Sequence, residues 1–304
     1  MSEKKIIVVT GATGKQGRSV VEALLQNPSF SASEYIIAVV TRDPTSAAAR
    51  AFKAKSSAIR IVRGDYKDPS AIFGSLPLRP WAIYIMTIPG KTEVSDGTRM
   101  IDAATKAGVT HIVLSTVDRG VANGGNCPSE VPHWQTKHEI EAHLRQVVAN
   151  SSITYTILRP VFFMDNLVPD FFGKLSGTMW KDFLAHRSLK VVDTKDIGAF
   201  TAASILDPTS SAWKNIETSL VGDDLTFSQA NAIFRRQMGH DIPTTWKWLT
   251  SLVMLLAKDV KLMTVFMQQQ GYGGETGAPR GGINTTDFKS WVSKGAGVFG
   301  KATQ

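Results

Sequence analysis

The sequence predicts a doubly wound α/β protein, a parallel sheet with helices on both faces, followed by a smaller and mainly helical C-terminal lobe. Three observations carry this. The chain opens as strand, glycine turn and helix. Short β-branched runs then alternate with stretches of helical periodicity as far as residue 160, and beyond it most apolar residues recur at helical spacing.

The first element, Lys5-Ile6-Ile7-Val8-Val9-Thr10, is an unbroken apolar run suited to a strand buried on both faces. Gly11-Ala12-Thr13-Gly14-Lys15-Gln16-Gly17 follows, and Val20, Val21, Leu24 and Leu25 then mark a helix that packs back on the strand. Glycines at the first, fourth and seventh positions permit the tight turn, let the backbone approach a pyrophosphate and let helix and strand touch. Free N–H groups and the macrodipole at the helix start favour an anion. The expected ligand is a dinucleotide phosphate, contacted by Gly11, Thr13, Gly14, Lys15, Gln16 and Gly17. The run Gly295-Ala296-Gly297-Val298-Phe299-Gly300 also reads G-x-G-x-x-G, but no strand precedes it and no room follows, so it is set aside.

Composition excludes several classes. The 304 residues are 43% hydrophobic and 20% charged, an ordinary globular balance that argues against disorder. One cysteine, Cys127, can build neither an intrachain disulfide nor a thiolate metal cage. No leader-like apolar stretch precedes the first strand, and the run Trp248 to Ala257 is too short to span a bilayer, so the expectation is a cytoplasmic protein, or a nuclear one if regulatory, with no membrane partner. The net charge of +8 is spread without basic runs, which fits an anionic cofactor rather than direct nucleic-acid binding.

Tyr35 to Val40 reads as the second strand and ends in Thr41-Arg42-Asp43-Pro44. An acid here would accept from a ribose 2′-hydroxyl, whereas an arginine would grip a 2′-phosphate through a bidentate fork. Arg42 comes first and points to NADP(H), with Asp43 as the competing ribose ligand. After a helix from Ser46 to Lys55 and a strand Ile59–Arg63, Asp65 and Tyr66 are placed to meet the adenine, one accepting from its amine and one stacking. Asp68 caps a helix with Pro69 at its first position. The fourth strand, Trp81 to Met86, runs into Thr87 and Lys91 at the carboxyl edge, where ligands bind in such sheets. A helix from Val94 to Ala107, a strand His111–Thr116 and a glycine-rich, mobile loop from Val117 to Pro132 follow. His133-x-x-x-Lys137 comes next, with Ile140, Leu144, Val147 and Val148 as the inward face of a helix.

The G-x-x-G-x-x-G spacing resembles the short-chain dehydrogenase/reductase superfamily. That resemblance implies a catalytic hydroxyl at the end of the fifth strand, where Ser115 and Thr116 stand, and a Y-x-x-x-K pair on the next helix. None of Tyr35, Tyr66, Tyr84, Tyr155 and Tyr272 has a lysine four residues on, so the usual acid is absent while Lys137 keeps the lysine position. Together with Leu158-Arg159-Pro160-Val161-Phe162-Phe163-Met164-Asp165-Asn166 and Asp196-Ile197-Gly198-Ala199-Phe200, these segments resemble the NmrA-like family of atypical short-chain dehydrogenases/reductases, related to the isoflavone-reductase-like enzymes. The resemblance covers nearly the whole chain. It implies a Rossmann-like fold and NADP(H), and either of two functions: a reductase in which Lys137 orients the ribose or aids proton delivery with Ser115 or His133, or a redox sensor acting through a regulatory protein partner. His133 itself is read as a loop residue. His138 and His143 stand five apart, which does not put them on one helix face, so no metal is expected.

Val161 to Leu167 supplies apolar bulk, with Phe162, Phe163 and Met164 either walling a substrate or filling the lobe core. Leu189–Val192 and a helix from Asp196 to Leu206 are expected to return to the main sheet, Thr226-Phe227-Ser228-Gln229 to open a helix as a capping box, and the Met- and Leu-rich stretch Trp246 to Gln269 to pack as core by default, or to form a substrate lid or a partner groove. The predicted organisation is residues 1–160 as the cofactor domain, 189–207 rejoining it, and 161–304 as the lobe, in a monomer or weak dimer acting on a small-molecule substrate.

Overall fold

Parallel pairing of the β-branched runs builds the frame of the site. The computed structural model describes residues 3–120, 126–184, 186–277, 279–295 and 299. Five residues of the loop expected to be mobile, 121–125, and most of Gly295–Gly300 lie outside the described residues. The strands β1 (Lys5–Val9), β2 (Tyr35–Thr41), β3 (Ile59–Arg63), β4 (Pro80–Met86), β5 (His111–Ser115), β6 (Thr154–Pro160) and β9 (Ile216–Leu220) form one sheet in the order β3-β2-β1-β4-β5-β6-β9. Five neighbouring pairs, from β3–β2 through to β5–β6, run parallel. The order reverses between β1 and β4, which opens a crevice beyond their carboxyl ends.

The chain divides into two units. The first comprises Met1–Thr116, Thr136–Arg159 and Lys195–Thr218. It carries α1 (Lys15–Gln26), α2 (Ala47–Lys55), α3 (Pro69–Gly74), α4 (Glu93–Lys106), most of α5 (Pro132–Val148) and most of α7 (Thr194–Leu206). Ile6, Val8, Ile83, Ile85, Ile112 and Leu114 form one core with Met100, Ile101 and Ala104 of α4 and Ile140, Leu144 and Val148 of α5. The alternate residues face α1 and α7: the His111 Nε2 and Thr156 Oγ1 atoms each lie 2.7 Å from Ser204 Oγ on α7. Asp68 and Ser46 cap α3 and α2 as local chemistry requires, each accepting from a backbone N–H three residues on.

The second unit comprises Val117–Gln135, Pro160–Thr194 and Ser219–Gln304. Its strands β7 (Phe162–Phe163), β8 (Leu189–Val192) and β10 (Asp223–Leu225) form a separate three-stranded sheet in the order β10-β8-β7. Its helices are α6 (Phe171–Thr178), α8 (Phe227–Met238), α9 (Lys247–Leu256), α10 (Lys258–Gln269) and α11 (Phe288–Lys294). The Thr226 capping box opens α8 as expected. Three expectations are corrected. Leu189–Val192 joins this small sheet and not the main one, because β10 and β7 supply its hydrogen-bonding partners. Residues 117–135 group with the second unit: the carboxylate of buried Asp118 accepts from the N–H groups of Gly120 at 2.8 Å and Gly273 at 2.6 Å and from the Ser219 hydroxyl, so the start of that loop is fixed. In α9 only Thr250 is buried; Trp248, Leu252, Leu255 and Leu256 lie on the opposite side of the helix and are exposed rather than core.

Candidate functional site

The glycine turn is shaped as its spacing demands. Gly11 has φ +60°, and a Cβ there would stand 2.6 Å from Met86 Sδ; a Cβ on Gly17 would stand 2.4 Å from the Gly11 carbonyl oxygen. Gly14 is the N-cap of α1 and supplies no side-chain acceptor, so the first N–H groups of α1 have no cap from that residue. Thr13, Gly14 and Lys15 are exposed, and Gln16 is half-buried. Gln16 turns inward: its Oε1 accepts from the Ser115 hydroxyl at 2.8 Å and the Tyr84 hydroxyl at 3.1 Å. Ser115 is therefore buried and tied to the turn.

Beyond the carboxyl ends of β1, β2, β3 and β4 lies a cavity of 270 Å³ lined by Gly11, Thr13, Thr41, Arg42, Gly64, Asp65, Tyr66, Lys67, Thr87, Ile88 and Asp96, with Val40, Ile72 and Met100. Here the structure separates Arg42 from Asp43. The Asp43 carboxylate accepts from the Thr45 N–H at 2.8 Å and the Thr45 hydroxyl at 2.6 Å, and these bonds hold its carboxyl below the ordinary range. Arg42 is exposed at the cavity with no acidic partner among the described residues. Asp65 Oδ1 accepts from the Lys67 N–H at 3.0 Å, which sets the turn after β3. The Tyr66 hydroxyl donates to the Met86 carbonyl and lies 2.6 Å from Thr10 Oγ1; burial raises its pKa. Lys91 is exposed and not among the residues lining the cavity.

Lys137 is buried on α5. Its Nζ donates to the Thr87 carbonyl at 2.9 Å and the Thr87 hydroxyl at 2.6 Å, and pairs with Glu93 Oε1 at 2.8 Å. Glu93 is buried too, and it also accepts from the Thr87 hydroxyl at 2.9 Å and the Thr136 hydroxyl at 2.5 Å. Burial pulls the Lys137 amine below its ordinary value, with Glu93 and Glu141 opposing. One turn further along α5, Glu141 accepts from the Thr116 hydroxyl at 2.6 Å and from Arg159 at 2.8 Å, and Arg145 and Glu217 close the network. His133 is not a loop residue: Pro132 opens α5 and places His133 in its first turn, where Nδ1 stands 3.4 Å from Asp259 in the second unit. Phe162 and Met164 are buried in the second unit, and Phe163 is half-buried.

Sequence reasoning missed Glu93 and Lys67. Glu93 had a legible signal: Glu93, Gly97, Met100, Ile101 and Ala104 recur on one face of α4, and a charge on an inward face requires a buried partner. Starting the helix at Val94 hid it. Lys67 had no signal, since only the turn after β3 brings it to the cavity. Among the described residues, no helix is long and apolar enough to cross a membrane.

Residues 3–263 match the model of the NmrA-like family. The chain is 28% identical over 301 residues to the NmrA-like family domain-containing oxidoreductase lnaB of Aspergillus flavus, covering 88% of this chain and 85% of that protein. Among solved structures it is similar to the Citrobacter sp. triphenylmethane reductase complexed with NADP(H), at TM-score 0.70 and 17% identity over 96% of this chain and 99% of that one. It is also similar to NmrA, a negative transcriptional regulator, in complex with NADP, at TM-score 0.64 and 17% identity over 96% of this chain and 91% of that one. At such identities the likeness is one of fold.

Proposed function

The chain belongs to the NmrA-like family, and from that membership we propose that it is an NADPH-dependent reductase passing hydride to a small conjugated or aromatic organic substrate. The observation that carries the cofactor is the pair at the end of β2: among the described residues Arg42 has no acidic partner and lines the cavity, whereas Asp43 is engaged by Thr45. A 2′-phosphate suits a guanidinium that lines the cavity, whereas Asp43 is not among the residues lining it and turns its Oδ1 to Thr45. The α1 N-terminus without a side-chain cap and the Gly11 turn fit a pyrophosphate. When bound, NADPH supplies the hydride. Asp65 and Tyr66 would flank the adenosine end, while Lys137 holds Thr87 in the cavity wall and Gln16 ties Ser115 to the glycine turn. The oxidoreductase and the triphenylmethane reductase to which the chain is similar support a reductase.

A second reading, a non-catalytic NADP-binding redox sensor, is favoured by the missing Y-x-x-x-K and by the likeness to the regulator NmrA. Calorimetric titration of NADPH, NADP⁺, NADH and NAD⁺, with an NADPH-oxidation screen against enones, imines and quinones, decides between them. Turnover supports the reductase; different affinities for oxidised and reduced forms without turnover support the sensor. Arg42→Ala is expected to weaken NADPH by about tenfold or more and to leave NADH within about twofold. An equal loss for both would overturn the 2′-phosphate role.

A further inference from the structure

At the end of β4 two successive backbone carbonyls are captured by side chains, Met86 by Tyr66 and Thr87 by Lys137. The second capture is the more demanding. An ammonium carries three hydrogens, and those of Lys137 meet the Thr87 carbonyl, the Thr87 hydroxyl and Glu93 Oε1, all within 2.9 Å. In this arrangement Lys137 has no N–H left for a substrate. Burying such a cation without a counter-charge is costly, and Glu93 is the acid that faces it from α4. The other acid near it, Glu141 on α5, is already engaged by Arg159 from β6 and by Arg145.

We propose that Glu93 is a positioning residue: it holds Lys137 as the ammonium that captures Thr87, and so fixes the wall of the cofactor cavity that follows β4. The inference rests on the cofactor reading above for its functional consequence, and on the hydrogen-bond geometry alone for the hold itself. Lys137 then serves the site as a charged brace rather than as a proton donor. Thr87, which lines the cavity, is the part of the brace a bound nucleotide would meet.

Glu93→Gln keeps an oxygen acceptor and removes the charge. Its effect is read in two ways, on purified full-length protein. In thermal unfolding, burial lowers Lys137 in both proteins but without the opposing Glu93 charge it sheds its proton at lower pH in the folded variant than in folded wild type, so over that interval the variant gains stability relative to wild type as pH rises. The melting-temperature gap should therefore be widest near pH 7 and narrow by about half by pH 9.5. Glu93→Gln combined with Lys137→Met should show no such narrowing. In calorimetry at pH 7, Glu93→Gln and Lys137→Met should each weaken NADPH by about tenfold, and the double variant should be no weaker than either single one, because the two side chains act as one brace.

A gap that does not change with pH would overturn the hold, as would additive losses in the double variant. Unchanged NADPH affinity in both single variants would overturn the role in the site. Should Glu93→Gln fail to fold, the comparison of Lys137→Met with the double variant decides: equal NADPH affinities support the brace and a further loss refutes it. If the wild-type protein binds no NADPH, the cofactor reading falls, while the melting arm still decides whether Glu93 holds Lys137.

Discussion

The two units keep their charges and their apolar groups in different places. In the first, buried carboxylates meet cationic side chains and hydroxyls: Glu93 meets Lys137, Thr87 and Thr136, and Glu141 meets Arg159, Arg145 and Thr116. In the second, the buried carboxylate of Asp118 meets two backbone N–H groups and one hydroxyl. The surfaces differ as well. Of the large apolar side chains exposed among the described residues, Ile88 belongs to the first unit, and Phe171, Phe172, Trp246, Trp248, Leu252, Leu255 and Leu256 to the second. The lesson is about preorganisation. Closed networks of side chains from distant segments hold the first unit's walls in one arrangement, which suits a cofactor of fixed shape. The second unit leaves an α9 face uncommitted, so substitutions there should cost little stability.

The comparison is broken most directly by opening a network in the first unit. Arg159→Met leaves Glu141 buried without its bidentate partner and is expected to cost about 3–5 kcal/mol in urea unfolding. A cost under about 1 kcal/mol would show that the network does not stabilise this unit.

A smaller effect comes from His111, which sits between Thr154 and Ser204 with burial pushing its pKa down to about 3. Its unfolded value is near 6.5, so between these limits the unfolded chain binds the extra proton and stability falls as the medium is acidified. The loss should reach about 1.4 kcal/mol per pH unit, all of it within the first unit's core. Denaturant melts at pH 7 and pH 5 should differ accordingly. His111→Gln should flatten that limb even if it lowers stability at pH 7; an unchanged slope would clear His111 of the effect.

The smallest effect is expected on the second unit's exposed face. Leu255→Ser and Leu256→Ser should each change unfolding free energy by no more than about 0.5 kcal/mol. Losses of 2 kcal/mol or more, on the order of a core truncation, would mean that the α9 face is packed in solution and that the contrast between the units is false.

What was legible in the sequence depends on how far apart the interacting residues stand. Asp68 and Pro69, the Thr226–Gln229 box and the Gly11–Gly17 turn act over a few residues, and their backbone chemistry allows few alternatives. The unbroken apolar runs of β1, β2, β4 and β5 likewise pointed to a sheet buried on both faces, and with it the crevice where β1 and β4 part. Partners were not legible. Ser115 meets Gln16 across 99 residues and Lys137 meets Thr87 across 50, so their hydroxyl and amine read as reactive groups until the fold supplied the acceptors. Tertiary structure alone placed β8 in the small sheet and left the α9 leucines in solvent, whereas Pro132 was a local signal for the helix that carries His133. The physical reason is common to the first two. Residue type and spacing determine what a segment can bury or donate, whereas the acceptor, the neighbouring strand or the covering helix comes from elsewhere in the chain and exists only once the chain has folded.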